Sequence, residues 1–344
     1  MATINYLRRY QLLIGFPEAY YKVNPTKLNQ GSYSNIIDGE SEGFSEVNVP
    51  ELLAIPKEAG ISIDGLRVVC KADGTTESAG SDIRKAKIDI YNLSQDTKAK
   101  LNQKNLKVIF KAGYLDELDS DSLPILVSGQ VSRVTHSRRG VDVITTLEVG
   151  DGYTPHTTAK VNATIKSDYL NPITAQDVLK YLVEVWRYNG ISSDSSTIEY
   201  DFALSSVKYY SGWSGVGYLK DVMDNFCSQN GLEWYIVNSS IYVQRKGVQE
   251  VKSAIVPNTT NLILVEPIVN PNSSSSEKED KGRIKVELVL DARVREGSYI
   301  ELTKKVLREE KKDLVGVYNI KKVSHIFDSY QGQSRTTLEA EKVG

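Results

Sequence analysis

Val134-Thr135-His136, followed across a turn by Thr145-Thr146-Leu147-Glu148-Val149, has a counterpart near the far end of the chain in Val323-Ser324-His325 and Thr336-Thr337-Leu338-Glu339-Ala340. Both stretches alternate apolar and polar residues, the period of a strand with one wet face. Arg138-Arg139-Gly140 supplies the first turn. The second connection is two residues longer, and Ser329, Gln331, Gly332, Gln333 and Ser334 suit a solvated turn there. Upstream, Ile88-Asp89-Ile90 and Ile284-Lys285-Val286 alternate in the same way, and Leu106–Phe110 corresponds to Tyr299–Leu302. Two antiparallel hairpins can converge on Thr-rich alternation because sheets favour it. The sharper reading is a pair of related β-barrels, one at each end of the chain.

Working outward, Val161, Ala163 and Ile165 alternate as another strand, and Asp64-Gly65 between two apolar runs predicts a hairpin turn. Ser94 can cap a short helix after Leu93. The pattern then changes. Thr174-Ala175-Gln176-Asp177 opens a helix over 174–188 with a capping box, and Ile173 is placed to staple against Val178. Leu219, Val222, Met223 and Phe226 form a second helical face, closed by Asn230-Gly231 and with Ser214 as its expected N-cap. Leu232–Val237 and Ile241–Arg245 follow as a hairpin. The expected fold is mainly β (α+β overall), with two related β-barrel domains flanking a smaller mixed α/β module with two helices. Its boundaries are 1–166, with an irregular excursion near 30–60; 167–250; and 251–344, with a polar loop near 272–282.

The length of 344 residues agrees with two or three domains at roughly 150 residues each. Forty-two basic against 44 acidic residues exclude a strongly basic nucleic-acid surface over the whole protein. Cys70 and Cys227 cannot build a disulfide framework or a four-thiolate metal site. Arg8, Arg9 and Gln11 interrupt the N-terminal apolar stretch, and no later run reaches the ~18 uncharged apolar residues of a membrane helix. We therefore expect no export signal and no membrane insertion.

No constellation of residues selects a chemistry. His136 and His325 occupy matched strand ends without a neighbouring His, Cys or carboxylate at ligand spacing, and His156 has no evident partner. The acidic stretch 116–121 fails the calcium-loop pattern, because Pro124 and Gln130 stand where Gly and Glu are needed. Gly212–Gly217 is neither a nucleophile elbow nor a phosphate loop. The expectation is no catalytic residue, no metal and no cofactor. The candidate interface residues are Tyr209, Tyr210 and Trp213, an aromatic cluster of the kind that anchors partners, and the basic turn Arg138-Arg139. Packing beneath the second helix explains the aromatics equally well, and ordinary solvated turn charge explains the arginines.

Taken in order, 88–94 (Ile-Asp-Ile-Tyr-Asn-Leu-Ser), Lys111-Ala112-Gly113-Tyr114, Val127-Ser128-Gly129-Gln130-Val131 and Gly150-Asp151-Gly152 resemble the first barrel of central baseplate hub proteins of tailed, contractile-tailed above all, bacteriophages. Val294-Arg295-Glu296-Gly297-Ser298-Tyr299 and Gly316-Val317-Tyr318-Asn319-Ile320 resemble the family's last barrel. The likeness covers most of residues 60–344 and extends to the hub part of type VI secretion spike proteins. It implies a non-enzymatic, homotrimeric virion protein of the tail baseplate, made in the host cytoplasm. Two barrels per chain would give a pseudo-six-fold ring joining the tail tube protein to the central spike protein, with baseplate wedge proteins as further partners and tape measure or DNA passing through. Because the chain ends at Gly344 after the second barrel, the spike and any wall-degrading activity are expected on other chains. The competing readings are a tail-associated peptidoglycan hydrolase and a carbohydrate-binding tail-tip protein, the latter suiting a content of 20 Tyr.

Overall fold

The computed structural model describes residues 8–15, 60–76, 83–103, 106–114, 123–167, 170–191, 198, 202–246, 254–268, 282–307 and 309–343. The excursion near 30–60 (Gly60 aside), the acidic stretch 116–121 and the polar loop near 272–282 (Gly282 aside) lie outside them. The molecule is mainly β, as the alternation requires. In chain order, β1 (Arg8–Gly15), β2 (Ile61–Ile63), β3 (Val68–Thr75) and β4 (Lys85–Tyr91) precede helix α1 (Gln95–Leu101), whose first turn is capped by Ser94 accepting from Thr97 N. Then come β5 (Lys107–Tyr114), β6 (Ile125–Arg139), β7 (Asp142–Gly150), α2 (Tyr153–Thr158) and β8 (Lys160–Ile165). The middle of the chain holds β9 (Ile173–Thr174), α3 (Ala175–Tyr188), α4 (Phe202–Ser206), β10 (Lys208–Tyr209), β11 (Trp213–Tyr218), α5 (Leu219–Gln229), β12 (Leu232–Val237) and β13 (Ser240–Arg245). It ends with β14 (Ala254–Ile255), β15 (Leu262–Pro267), β16 (Arg283–Val289), β17 (Tyr299–Leu302), β18 (Gly316–Asp328) and β19 (Arg335–Lys342).

Thirteen of these strands join in one hydrogen-bonded sheet, whose main path runs β15-β16-β19-β18-β3-β4-β7-β6-β5-β1-β2, with β17 pairing β18 and β14 off that path. The sequence repeat is therefore a repeat of topology: β3-β4-β7-β6-β5 and β15-β16-β19-β18-β17 have the same order. Register agrees residue by residue. Val134 faces Leu147 and His136 faces Thr145, as Val323 faces Leu338 and His325 faces Thr336. A bulge interrupts β6 between Val131 and Arg133, and one interrupts β18 at the matching place, between Ile320 and Lys322. Ile88 lies opposite Leu147 and Val286 opposite Leu338, so Ile88 is matched by Val286, two residues beyond Ile284.

Three apolar clusters fill the interior. One joins β1–β7 with Phe327, another lies within β15–β19, and the third holds α3, α5, β12 and β13 together with Val161 and Ile165 of β8. Strand β8 pairs with β11, which places it with the helices although it precedes residue 167. Thr174 and Asp177 form the expected capping box, and Asn230 with Gly231 closes α5.

Two local expectations are corrected. Asp64-Gly65 makes its turn, with Gly65 at φ 74°, but the flanking strands do not form a hairpin: β2 pairs with β1, while β3 pairs with β4 and β18. A turn signal fixes local backbone, and the pairing partner is chosen by which face must be buried. Ser214 does not cap α5. It lies inside β11, and the helix starts after Tyr218 without a side-chain cap.

Candidate assembly surfaces

The first half of β18 pairs with β17 and its second half, Lys322–Asp328, pairs with β3 from Thr75 to Val69. This seam joins the two halves of the sheet. Ser329 and Val68 exchange bonds at its end, Arg67 meets the Asp328 carboxylate at 2.8 Å, and Arg8 Nη1 donates to the Asp328 and Gly332 carbonyls. Burial would raise the Asp328 pKa, but the hydrogen bonds from Arg67 and the Tyr330 amide hold it below the usual carboxylate value. Phe327, fully buried, packs edge-on against Tyr10 and Phe110.

Strand β6 has the same design and a different fate. Its first half pairs with β5, but Arg133–Arg139 pair only with β7; among the described residues nothing covers the outer edge. Arg138 and Arg139 stand exposed at its end, beside the Gly140 turn. At the opposite end of the sheet path, β15 has β16 on one side only. Its outer edge is guarded by Lys311, which donates to the Val265 carbonyl, and by Pro267, which has no N–H to offer.

The aromatic candidates divide. Tyr209 and Trp213 are partly buried against the helical core, and Trp213 lies edge-on to Tyr181. Tyr210 is 53% exposed, and Tyr218 and Val216 of β11 are exposed as well. Packing thus accounts for two of the three. The wet face of the sheet carries its own charge pairs, Lys71–Asp73, Lys87–Asp89, Arg133–Glu148, Lys322–Glu339 and Arg335–Glu287. No group of three metal-ligating side chains occurs among the described residues. A cleft of about 670 Å³ between α5, β12 and the second half of the sheet has mixed charge, lined by Asp224, Glu233 and Glu341 together with Lys246, Arg283 and Lys321.

Sequence reasoning missed a charge cluster where the three cores meet. Arg84, Lys107, Asp151 and Glu296 are all at most 5% exposed. Arg84 Nε is 4.0 Å from Glu296 Oε1, and Asp151 Oδ1 accepts the Ser239 amide at 2.6 Å. Burial outweighs the pull of Arg84 and Lys107 and lifts the Asp151 pKa to about 6; burial, against the Asp151 charge, brings Lys107 down to about 8. A Cβ at Gly74 would press on the Glu296 carboxylate, so a larger residue there would displace it. Neighbouring His325, wholly buried, bonds Thr336 through Nδ1 and donates to the Val294 carbonyl from Nε2, and burial beside the Arg84 charge keeps the ring neutral.

Comparison with solved structures decides the fold. A 43 kDa tail protein of prophage MuSo2 from Shewanella oneidensis superposes with a TM-score of 0.52 at 7% identity, over 82% of this chain and 94% of that one. A tail protein from Neisseria meningitidis gives 0.53 at 9% identity, over 82% and 98%. The fold is that of phage tail proteins. The Escherichia coli c3393 protein, described as a type VI secretion component similar to T4 tail proteins gp27 and gp5, gives 0.50 at 9% identity over 81% and 74%. No family model and no curated protein matches the sequence. The likeness is one of fold, at sequence identities of 7–9%.

Proposed function

We propose that this protein is the structural hub of a phage tail, a homotrimer whose two repeated halves act as two β-barrels and present a pseudo-six-fold ring. The tail tube would sit on one face, the central spike on the other, and baseplate wedge proteins around it. The helical module, from about residue 159 to 250, hangs between the barrels and offers Tyr210 outward, with Tyr209 and Trp213 packed against its core behind it. The single observation that carries this reading is the half-used edge of β6. Within one chain, β18 spends that edge on β3; by the repeat, β6 should spend its own on β15 of the next copy. A head-to-tail contact of this kind closes into a ring when each copy turns by a third of a revolution, and three chains then give six similar units.

The seam inside the chain predicts the register of the seam between chains. Ile326 faces Lys71. Ser137 stands where Ile326 does, and Glu266 where Lys71 does, through their partners Ile144, Arg335, Lys87 and Lys285. Ser137 should therefore face Glu266 of the neighbouring copy, with the Arg138 amide replacing Lys311 on the Val265 carbonyl. The paired charges of the wet face would line the ring and grip neither a tape measure nor DNA. Buried Cys70 and Cys227 leave engineered thiols as the reactive ones. Oxidation of a variant carrying Ser137→Cys and Glu266→Cys should give covalently linked trimers, with three-fold rings in images taken with tube protein. A trimer that does not cross-link refutes the seam; a chain that stays monomeric with tube protein present refutes the hub.

A further inference from the structure

The tip of the β12–β13 hairpin is built from Asn238 and Ser239, both at positive φ (51° and 63°), an arrangement that closes a two-residue turn. This tip is pressed into the charge cluster. Ser239 N donates to Asp151 at 2.6 Å, its hydroxyl lies 3.5 Å from that of Ser128, and both residues are less than 9% exposed. The cluster beneath is poorly satisfied. Arg84 Nε and Nη1, Asp151 Oδ2, Glu296 Oε2, Asn319 Oδ1 and both amide atoms of Asn238 have no hydrogen-bond partner among the described residues. Buried, under-paired charges oppose the packing that encloses them, and lifting of the tip would expose them to solvent that can bond them.

We propose that the Asn238–Ser239 tip is a releasable, pH-sensitive latch that docks the helical module on the two halves of the sheet through Asp151. Closed, it buries Asp151 with Arg84, Lys107 and Glu296; open, it hydrates them. The groups facing Asp151 are Arg84 and Glu296 from the loops before β4 and β17, Lys107 from β5 and the Ser239 amide from the tip. Tyr235 and Arg295 border the cluster, and His325, bonded to Thr336 and Val294, feels the same Arg84 charge.

The sign follows from burial. Closed Asp151 holds its proton to about pH 6, and hydrated Asp151 only to its ordinary value of 3.8. The closed state therefore binds more protons between those values, so mild acid tightens the latch and neutral pH loosens it. Lys107 works in the opposite sense above pH 8, where its loss of a proton favours closure.

Hydrogen exchange on the full chain tests this at single amides, with Ile88 and Leu147 as internal controls for global unfolding. The protection factor of the Ser239 amide itself, not its ratio to those controls, should rise about tenfold from pH 7 to pH 5 while staying below theirs. Asp151→Asn, which keeps an oxygen for Ser239 and removes the charge, should show the high protection already at pH 7 and no rise. Should that variant not fold, the wild-type profile decides alone. Equal protection of Ser239 and Ile88 at both pH values, a fall in acid, or a rise that persists in Asp151→Asn overturns the latch. The measurement needs no assembly, so it is independent of the hub reading.

Discussion

The β6–β7 and β18–β19 hairpins share register, bulge and a His–Thr bond, yet one is half-exposed and the other buried. His136 and Thr145 meet at 3.1 Å with the imidazole in solvent; His325 and Thr336 meet at 2.9 Å with no exposure at all. Strand β3, laid along one hairpin and not the other, makes the difference. The same local design is thus a core element where an edge is covered and an available surface where it is open. Energetic effects should differ between matched positions even though geometry does not.

The largest difference is expected at Phe327 and its counterpart Arg138. Phe327→Ala removes a ring packed against Tyr10 and Phe110 and should cost about 3–5 kcal/mol in urea unfolding. Arg138→Ala, at an exposed strand end, should stay within about 0.5 kcal/mol in the monomer. Equal costs would show that the β6 edge is already covered within one chain.

Acid sharpens the comparison at the histidines. Burial first, then the Arg84 charge, keeps the folded-state pKa of His325 well below 6.5. The unfolded chain takes up a proton that the native ring refuses, so this contribution is complete above pH 6.5 and is lost as pH falls. The loss should reach about 2 kcal/mol by pH 5 in denaturant melts. His325→Gln should flatten that part of the curve.

Thr336→Val should follow in size. It strips a partner from buried His325 Nδ1 and from the Asp291 amide, for about 1–3 kcal/mol. Thr145→Val leaves only the exposed His136 ring unbonded, and water can replace that bond, so the loss should stay under about 1 kcal/mol. Comparable losses would mean that His136 is shielded as well.

The alternation in Thr145–Val149 and Thr336–Ala340 carried most of the fold, because a period of two fixes both strand and face. Caps were equally legible at Ser94, Thr174 and Gly231, where the signal is chemical and local. Pairing was not. Asp64-Gly65 marks a turn, but whether β2 joins β3 or β1 depends on Leu12 and Ile14, whose burial among β5 residues no local window reveals. The Arg138-Arg139 turn was visible as a candidate surface; the vacant edge beside it is a property of topology. Arg84, Lys107, Asp151 and Glu296 come from four separate segments and read singly as solvated charges, so only the fold could assemble them.

The smallest effect tests whether the open hairpin is also the softer one. Arg133–Glu148 and Lys322–Glu339 occupy matched positions across the two hairpins, at 3.9 Å and 3.3 Å. Both pairs are largely solvated, Arg133 at 67% and Lys322 at 44% side-chain exposure, so solvent screening keeps either within roughly 0.2–1 kcal/mol. A double-mutant cycle to Gln should place Lys322–Glu339 toward the upper part of that range, because β3 steadies the strand that carries the lysine. Arg133–Glu148 should be near zero in the monomer, since an uncovered strand spends side-chain entropy to hold a long pair. If β15 of a neighbouring copy covers β6, the Arg133–Glu148 coupling should rise toward its counterpart in the assembled ring and fall again with salt in both. A coupling already equal in the monomer would mean that β6 is as ordered as β18 without a partner, removing the physical reason for the edge to seek one.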